Sequence, residues 1–138
     1  MEEEKTQKVV NLYFQAVEAM NKEHYAYAFQ ILQETVRQGL PEGAATLGTL
    51  YANGLGTERN LETAVKFWEF AAQQGAVEGL VNMGVSYWTG QVVEPDKQKA
   101  VDLLEQAARL DDWGYEVLQE LAQEEPENAY LQEALKRL

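Results

Sequence analysis

Residues 47–56 read LGTLYANGLG, and residues 83–92, which lie 36 positions further along, read MGVSYWTGQV. In each stretch a glycine is followed three residues later by a tyrosine, a spacing that places both on one face of a helix. A second glycine follows, and glycine accepts the left-handed backbone conformation that ends many helices. We therefore predict two equivalent helices that end at Gly54 and Gly90.

The interval of 36 residues continues on both sides of these stretches. Ala64 pairs with Ala100, Gly39 pairs with Gly75, and Ala28 precedes Ala64 by the same interval. A fixed period of this length is the signature of units that stack in series and bury a continuous core.

Each unit is predicted to contain two antiparallel helices. Pro41 suits the first turn of one helix, because a proline there loses no hydrogen bond. Asn60 and Asp96 are good N-caps for the second helix of the two central units. Small residues such as Gly48 and Ala64 allow the paired helices to approach closely.

The flanking segments are looser copies of the same pattern. Lys5–Met20 and His24–Gln38 predict a first pair, and Trp113–Glu124 and Glu127–Leu138 predict a last pair. Atypical end units are expected because each shields an open end of the stack. We predict one all-α domain, a solenoid of about four helix pairs. Its units are residues 5–39, 40–75, 76–111 and 112–138.

The two central units resemble the Sel1-like repeat, a relative of the tetratricopeptide repeat. The shared pattern is Ala-x-x-Leu-Gly-x-x-Tyr-x-x-Gly-x-Gly, then Asn or Asp four residues before Ala, then Ala-Ala-x-x-Gly. The second unit departs from it at Val92, and again at Leu110 and Asp111. The resemblance implies a right-handed superhelix and a non-catalytic adaptor that binds a peptide or helix of a partner protein in a concave groove. It identifies no partner.

In related helical-pair repeats the first helix of each unit lines the concave side, which allows a groove to be predicted from the register. The predicted partner-binding residues are Val9, Tyr13, Val17, Thr49, Asn53, Val81, Val85, Trp88 and Thr89. This surface is unusually apolar, and Tyr and Trp are common binding anchors.

Two alternatives to a foreign partner remain open at this surface. An aromatic residue at helical spacing is often part of the core, so Trp88 is also interpreted as a residue packed between units. Two copies of the chain are the other alternative, because homodimers dominate among soluble oligomers.

Charge and composition exclude several classes of function. The 138 residues include 23 acidic and 11 basic ones, a formal net charge of −12. This sign argues against nucleic acids and against anionic membranes, and it is compatible with a basic protein partner. The absence of cysteine excludes disulfides, thiolate metal sites and a cysteine nucleophile. The acidic first residues differ from a secretory signal, so we expect a cytoplasmic protein.

Acidic residues are concentrated between Asp102 and Glu127, where nine of them accompany one basic residue, Arg109. They are interpreted either as a field that steers a basic partner or as the solvated outer face of amphipathic helices. Pairs such as Asp111-Asp112 lack the spaced oxygen ligands of a dedicated calcium site, so no metal site is predicted.

No catalytic constellation or cofactor motif is visible. His24 is the single histidine and stands in the N-cap register of Asn60, which favours a capping or surface role. Ser86 is the single serine and has no Gly-x-Ser-x-Gly elbow around it. We predict no enzymatic activity, no catalytic residue and no cofactor.

Overall fold

The computed structural model describes residues 1–138 as eight α-helices with no β-strand. The helices are α1 (Glu2–Asn21), α2 (Tyr25–Arg37), α3 (Pro41–Asn53), α4 (Leu61–Gln73), α5 (Val77–Thr89), α6 (Lys97–Ala108), α7 (Asp112–Glu124) and α8 (Ala129–Arg137). They confirm the predicted all-α solenoid. None of them combines the length and the apolar character that crossing a membrane requires.

The capping residues set the helix ends in the two central repeats. The side-chain oxygens of Asn60 and Asp96 each accept a hydrogen bond of 3.0 Å from the backbone N–H three residues ahead. At the other end of the first helices, Gly54 and Gly90 adopt the left-handed conformation. These four sequence signals therefore act as predicted.

Two helices of the flanking pairs start more than one residue away from the predicted position. The helix α1 begins at Glu2, earlier than the predicted Lys5, and α8 begins two residues after the predicted Glu127. The late start of α8 has a local cause, because the side chain of Asn128 accepts a hydrogen bond from the backbone N–H of Leu131 and caps the helix there.

Close approach of paired helices depends on two glycines. A Cβ atom built on Gly48 would lie 2.7 Å from a ring carbon of Trp68, and one on Gly84 would lie 2.7 Å from Cγ of Leu104. Trp68 and Leu104 occupy the same position in their repeats. Each glycine therefore makes room for a large side chain of the facing helix.

The first helices of successive pairs lie on the inner side of the stack. Helix α3 packs on α5 and α5 packs on α7, whereas α2, α4 and α6 contact each other less. A stack whose first helices are closer together curves toward them, so α3, α5 and α7 line the concave face, and the hydrogen bond between Tyr13 and Thr46 joins α1 to it. Helix α8 packs on both α6 and α7 at the end of the stack. The hand of the superhelix and the unit boundaries stay predictions.

Candidate binding site on the concave face

A chain of hydrogen bonds crosses the concave face from α1 to α5. The Tyr13 hydroxyl lies 3.2 Å from Oγ1 of Thr46, which donates to Oε2 of Glu78 at 3.0 Å. A second hydroxyl of α3, Oγ1 of Thr49, donates to Oε1 of Glu78 at 2.7 Å. Because the Thr46 proton goes to the carboxylate, Tyr13 is the donor of the first bond. We call Tyr13, Thr46, Thr49 and Glu78 the polar half of the concave face.

Burial perturbs both titratable groups of the polar half. It raises the pKa of the Glu78 carboxyl above its ordinary value, and the two threonine hydrogen bonds oppose this only in part. Burial also raises the pKa of the Tyr13 phenol, and the charges of Glu78 and Glu42 add to that effect. The carboxylate is therefore oriented by hydroxyl donors at a position where its charge is poorly solvated.

Trp68 supports the polar half from the second layer of helices. Its indole N–H donates to the backbone oxygen of Ala45 at 3.1 Å and lies 3.4 Å from Oγ1 of Thr49. The side-chain amide of Asn82 lies 3.5 Å from the same hydroxyl oxygen. Thr49 is thus held between α4 and α5 with its proton directed at Glu78.

Further along the stack the concave face becomes apolar. Val85 stands where Thr49 stands in the preceding repeat and is 37% exposed. Trp113, at the start of α7, is 40% exposed. We call Val85, Trp88 and Trp113 the apolar half of the concave face.

An open recess of about 430 Å³ lies at the edge of the concave face where α3, α5 and α7 begin. Its side-chain walls include Tyr13, Glu42, Glu78, Leu110, Asp111 and Trp113, together with Ala76 and Val77, and no Lys or Arg lines it. The recess combines two aromatic rings with three carboxyl groups. Those carboxyl groups are not arranged as a cluster that could hold a metal ion, and the chain has no such cluster of His, Asp or Glu side chains at any other place.

The structure brings only some of the predicted partner-binding residues together. Tyr13 and Thr49 lie in the same hydrogen-bond network. The exposed predicted residues are Asn53, Val85 and Thr89, and the half-buried ones are Val9, Val17 and Trp88. The side chains of Asn53 and Thr89 bond to carbonyl oxygens of their own helices.

Val81 requires a correction, because it is only 2% exposed and packs in a core cluster with Leu104 and Leu118. A side chain buried in this way cannot contact a partner. Its position in the repeat faces the neighbouring helices, as that of the fully buried Ala45 does in the preceding repeat.

Trp88 is intermediate between the two interpretations given above. Its ring packs against the core cluster of the last helices, and the ammonium group of Lys97 lies 4.7 Å from the ring centroid. Lys97 in turn pairs with Glu125. Contacts within the chain therefore occupy much of the Trp88 surface and leave only part of it for a partner.

Thr46, Glu78 and Trp113 belong to the site but were not predicted from the sequence. An acidic residue in the first turn of a helix is easily interpreted as a charge at the helix terminus, which is what Glu78 resembles. One signal for Glu78 was present in the sequence: Glu42 lies 36 residues earlier, so an acidic residue recurs at this position of the repeat. Trp113 was hidden by a change of register, since α7 begins 35 residues after α5 whereas α5 begins 36 after α3.

Some of the acidic segment between Asp102 and Glu127 is engaged within the chain. Glu105 accepts hydrogen bonds from Arg137 at 2.6 and 3.1 Å and from Arg109 at 3.2 Å. The Arg137 guanidinium lowers the pKa of the Glu105 carboxyl. This cluster joins α8 to α6, so part of the segment's charge stabilises the last pair.

His24 is exposed at the N-cap position of α2 and makes no side-chain capping bond.

Comparison with known families gives a match to the Sel1 repeat over residues 41–75 and 77–112, about half of the chain. A Sel1 repeat protein from Oxalobacter formigenes is 30% identical over 71% of this chain and 40% of its own, with a TM-score of 0.65. A protective antigen of uropathogenic Escherichia coli with an SLR fold is 26% identical over 86% of this chain and 27% of its own, with a TM-score of 0.70.

A third structure, cysteine-rich protein B of Helicobacter pylori, covers 80% of this chain and 94% of its own at 19% identity, with a TM-score of 0.60. That similarity concerns the fold alone. The chain spans less than half the length of the Oxalobacter and Escherichia proteins. No curated protein sequence matches it.

Proposed function

We propose that this chain, which belongs to the Sel1 repeat family, binds a segment of a partner protein along its concave face. Sel1 repeats generally act as protein–protein interaction modules, and proteins of the family are typically non-catalytic scaffolds. The proposal assigns that general role to one surface of this molecule and to named residues.

The observation that carries the proposal is the exposed apolar half of the concave face. Val85 and Trp113 are 37% and 40% exposed on two neighbouring first helices. An exposed apolar patch commonly marks an interaction site. Trp113 also has the large, rigid side chain that dominates binding energies at interfaces.

The polar half supplies directional contacts beside this surface. Thr49 and Tyr13 are held by defined hydrogen bonds, so their side chains are fixed before a partner arrives. Fixed groups cost less conformational entropy on binding. The proposed contact surface comprises Val9, Tyr13, Val17, Thr49, Asn53, Val85, Trp88, Trp113 and Thr89.

A pair of matched substitutions tests the proposal. Val85→Asp places a charge on the concave face, and Phe70→Asp places the same charge on α4, where Phe70 is 42% exposed away from that face. Partner capture from a lysate of the source cells, quantified by mass spectrometry, is expected to fail for the first variant and to persist for the second. Far-UV circular dichroism checks that both remain helical.

Two results would contradict the proposal. Equal capture by both variants and the wild type would remove the concave face from the interface. Recovery of the chain alone, together with a concentration-dependent dimer that Val85→Asp converts to monomer in analytical ultracentrifugation, would assign the surface to a second copy of the chain.

A further inference from the structure

We propose that the recess at the edge of the concave face binds a basic side chain of the partner segment, arginine in preference to lysine, between the Trp113 ring and the Glu78 carboxylate. The inference rests on the proposed function, since the basic side chain belongs to the bound segment.

The shape and walls of the recess fit a long side chain with a planar cationic end. The recess has about 430 Å³ of open volume, and the rings of Trp113 and Tyr13 form part of its wall. Guanidinium groups stack on aromatic faces more often than ammonium groups do. Leu110, also in the wall, provides apolar surface for the methylene stem.

The Glu78 carboxylate is prepared to accept a charged donor. Thr46 and Thr49 each use one proton on it, which fixes its plane and leaves further lone pairs free. A guanidinium can direct two parallel N–H groups at such a carboxylate, a geometry that an ammonium group cannot reproduce. The burial that raises the Glu78 pKa disfavours a lone charge, and a bound cation would offset that cost.

The electrostatic balance of the recess also favours a cation over an anion. The amino termini of α3, α5 and α7 face it, and each carries a partial positive charge of about half a unit. Glu42, Glu78 and Asp111 contribute three negative charges, which exceed the three partial ones. No basic side chain of the chain lines the recess, so this negative charge has no internal cation beside it.

Titration with short peptides tests the inference directly. The probe is N-acetyl-Gly-Arg-Gly-amide, and its lysine and glutamine counterparts are the controls. In a ¹H–¹⁵N spectrum the three tryptophan indole signals are assigned by single substitutions, and the signal of Trp88, which does not line the recess, serves as an internal reference. We expect the arginine peptide to shift the Trp113 signal saturably, the lysine peptide to bind more weakly, and the glutamine peptide to have no effect.

Charge-matched variants separate a site from a diffuse field. Glu78→Gln is expected to weaken binding of the arginine peptide about tenfold, the loss of one charge-assisted contact. Glu42→Gln, an exposed change in the same recess, is expected to weaken it less. Glu94→Gln removes the same charge from an exposed loop outside the recess and is expected to leave affinity unchanged.

Equal weakening by Glu78→Gln and Glu94→Gln would overturn the inference in favour of long-range attraction. Absence of a saturable shift up to about 20 mM peptide would overturn it as well, since that limit lies well above the millimolar affinity expected of one such contact. If the peptide fails while Val85→Asp still abolishes partner capture, the proposed function stands and only the role of the recess is lost.

Discussion

In the polar half of the concave face Thr49 donates a hydrogen bond to Glu78, whereas one repeat later Val85 occupies the same position and is open to solvent. The helices beneath these residues are equivalent, since α3 and α5 are both 13 residues long and both end at a left-handed glycine. The backbone of the repeat is thus maintained while the concave surface changes from hydrogen-bonded to apolar.

A matching difference is present in the second layer of helices. Trp68 contacts Gly48 and brings an indole N–H that needs an acceptor, which the carbonyl of Ala45 supplies beside Thr49. Leu104 contacts Gly84 in the equivalent place and brings no polar atom. The choice of one buried residue is therefore coupled to the chemistry of the concave surface above it.

The largest expected effect is that of Trp68→Leu, which places beneath the polar half the residue type that Leu104 supplies in the next repeat. Trp68→Leu removes most of a buried indole and its hydrogen bond to Ala45, so we expect a loss of about 2–3 kcal/mol in the free energy of unfolding. Urea denaturation followed by circular dichroism measures it.

The reverse exchange is the control for this comparison. Leu104→Trp forces a larger side chain against Gly84 beneath Val81, where the preceding repeat has the smaller Ala45, and is expected to cost about 1–3 kcal/mol by overpacking. If both exchanges changed the free energy of unfolding by less than about 0.5 kcal/mol, the inferred coupling between the buried layer and the surface would be contradicted.

A smaller effect is expected when the surface residues are exchanged. Thr49→Val leaves Glu78 without one of its two hydroxyl donors, so we expect a loss of about 1–2 kcal/mol in the free energy of unfolding. Val85→Thr adds a hydroxyl that water can solvate and is expected to change stability by less than about 0.5 kcal/mol. Similar losses for both variants in urea denaturation would show that β-branched packing, rather than the carboxylate contact, decides stability here.

Acidity offers a subtler way to separate the two halves. In the folded chain the pKa of Glu78 is raised above the ordinary value near 4.5 that applies to the unfolded chain. Between the ordinary pKa and the raised pKa, the folded chain therefore binds more protons than the unfolded chain. The contribution of this group to stability is therefore greatest at low pH and is lost as pH rises through the raised pKa. We expect the difference in unfolding free energy between wild type and Glu78→Gln to change across that window.

The apolar half supplies the control for the pH measurement. Val85→Thr introduces no titratable group, so its stability relative to wild type is expected to be independent of pH. Glu105, whose pKa is lowered by Arg137, contributes a slope of the opposite sign in every variant and cancels in the difference. A pH-independent difference for Glu78→Gln would mean that the carboxyl titrates normally in the folded chain.

Much of the fold could be predicted from the sequence, because repeated small residues and caps have one local interpretation each. Asn60, Asp96, Gly54 and Gly90 act within a few residues of their own positions, and the structure confirms them. The all-helical solenoid follows from their recurrence.

The candidate site was less predictable because it depends on contacts between units. Neighbouring first helices meet about one turn out of register, so Thr46 and Thr49 converge on Glu78 rather than on their own equivalents in the next repeat. A constant interval of 36 residues could not reveal that offset. It also assigned Val81 to the surface, although this position of the repeat faces the neighbouring helices and is buried at Ala45 as well.

The smallest expected effect concerns the loops that end the two first helices. Val92 has φ +69° and stands where the preceding repeat has Gly56, with φ +75°. A left-handed conformation costs a residue with a branched side chain about 1–2 kcal/mol, and glycine avoids that cost while adding flexibility to the unfolded chain. The side chain of Val92 is 49% exposed, so little packing is lost on its removal.

We therefore expect Val92→Gly to raise the free energy of unfolding by about 0.5–1 kcal/mol, measured by thermal denaturation. Gln91→Gly, an exposed change in the same loop without a positive φ, is expected to lower it slightly, and a loss of stability in Val92→Gly as well would show that the valine conformation carries no strain.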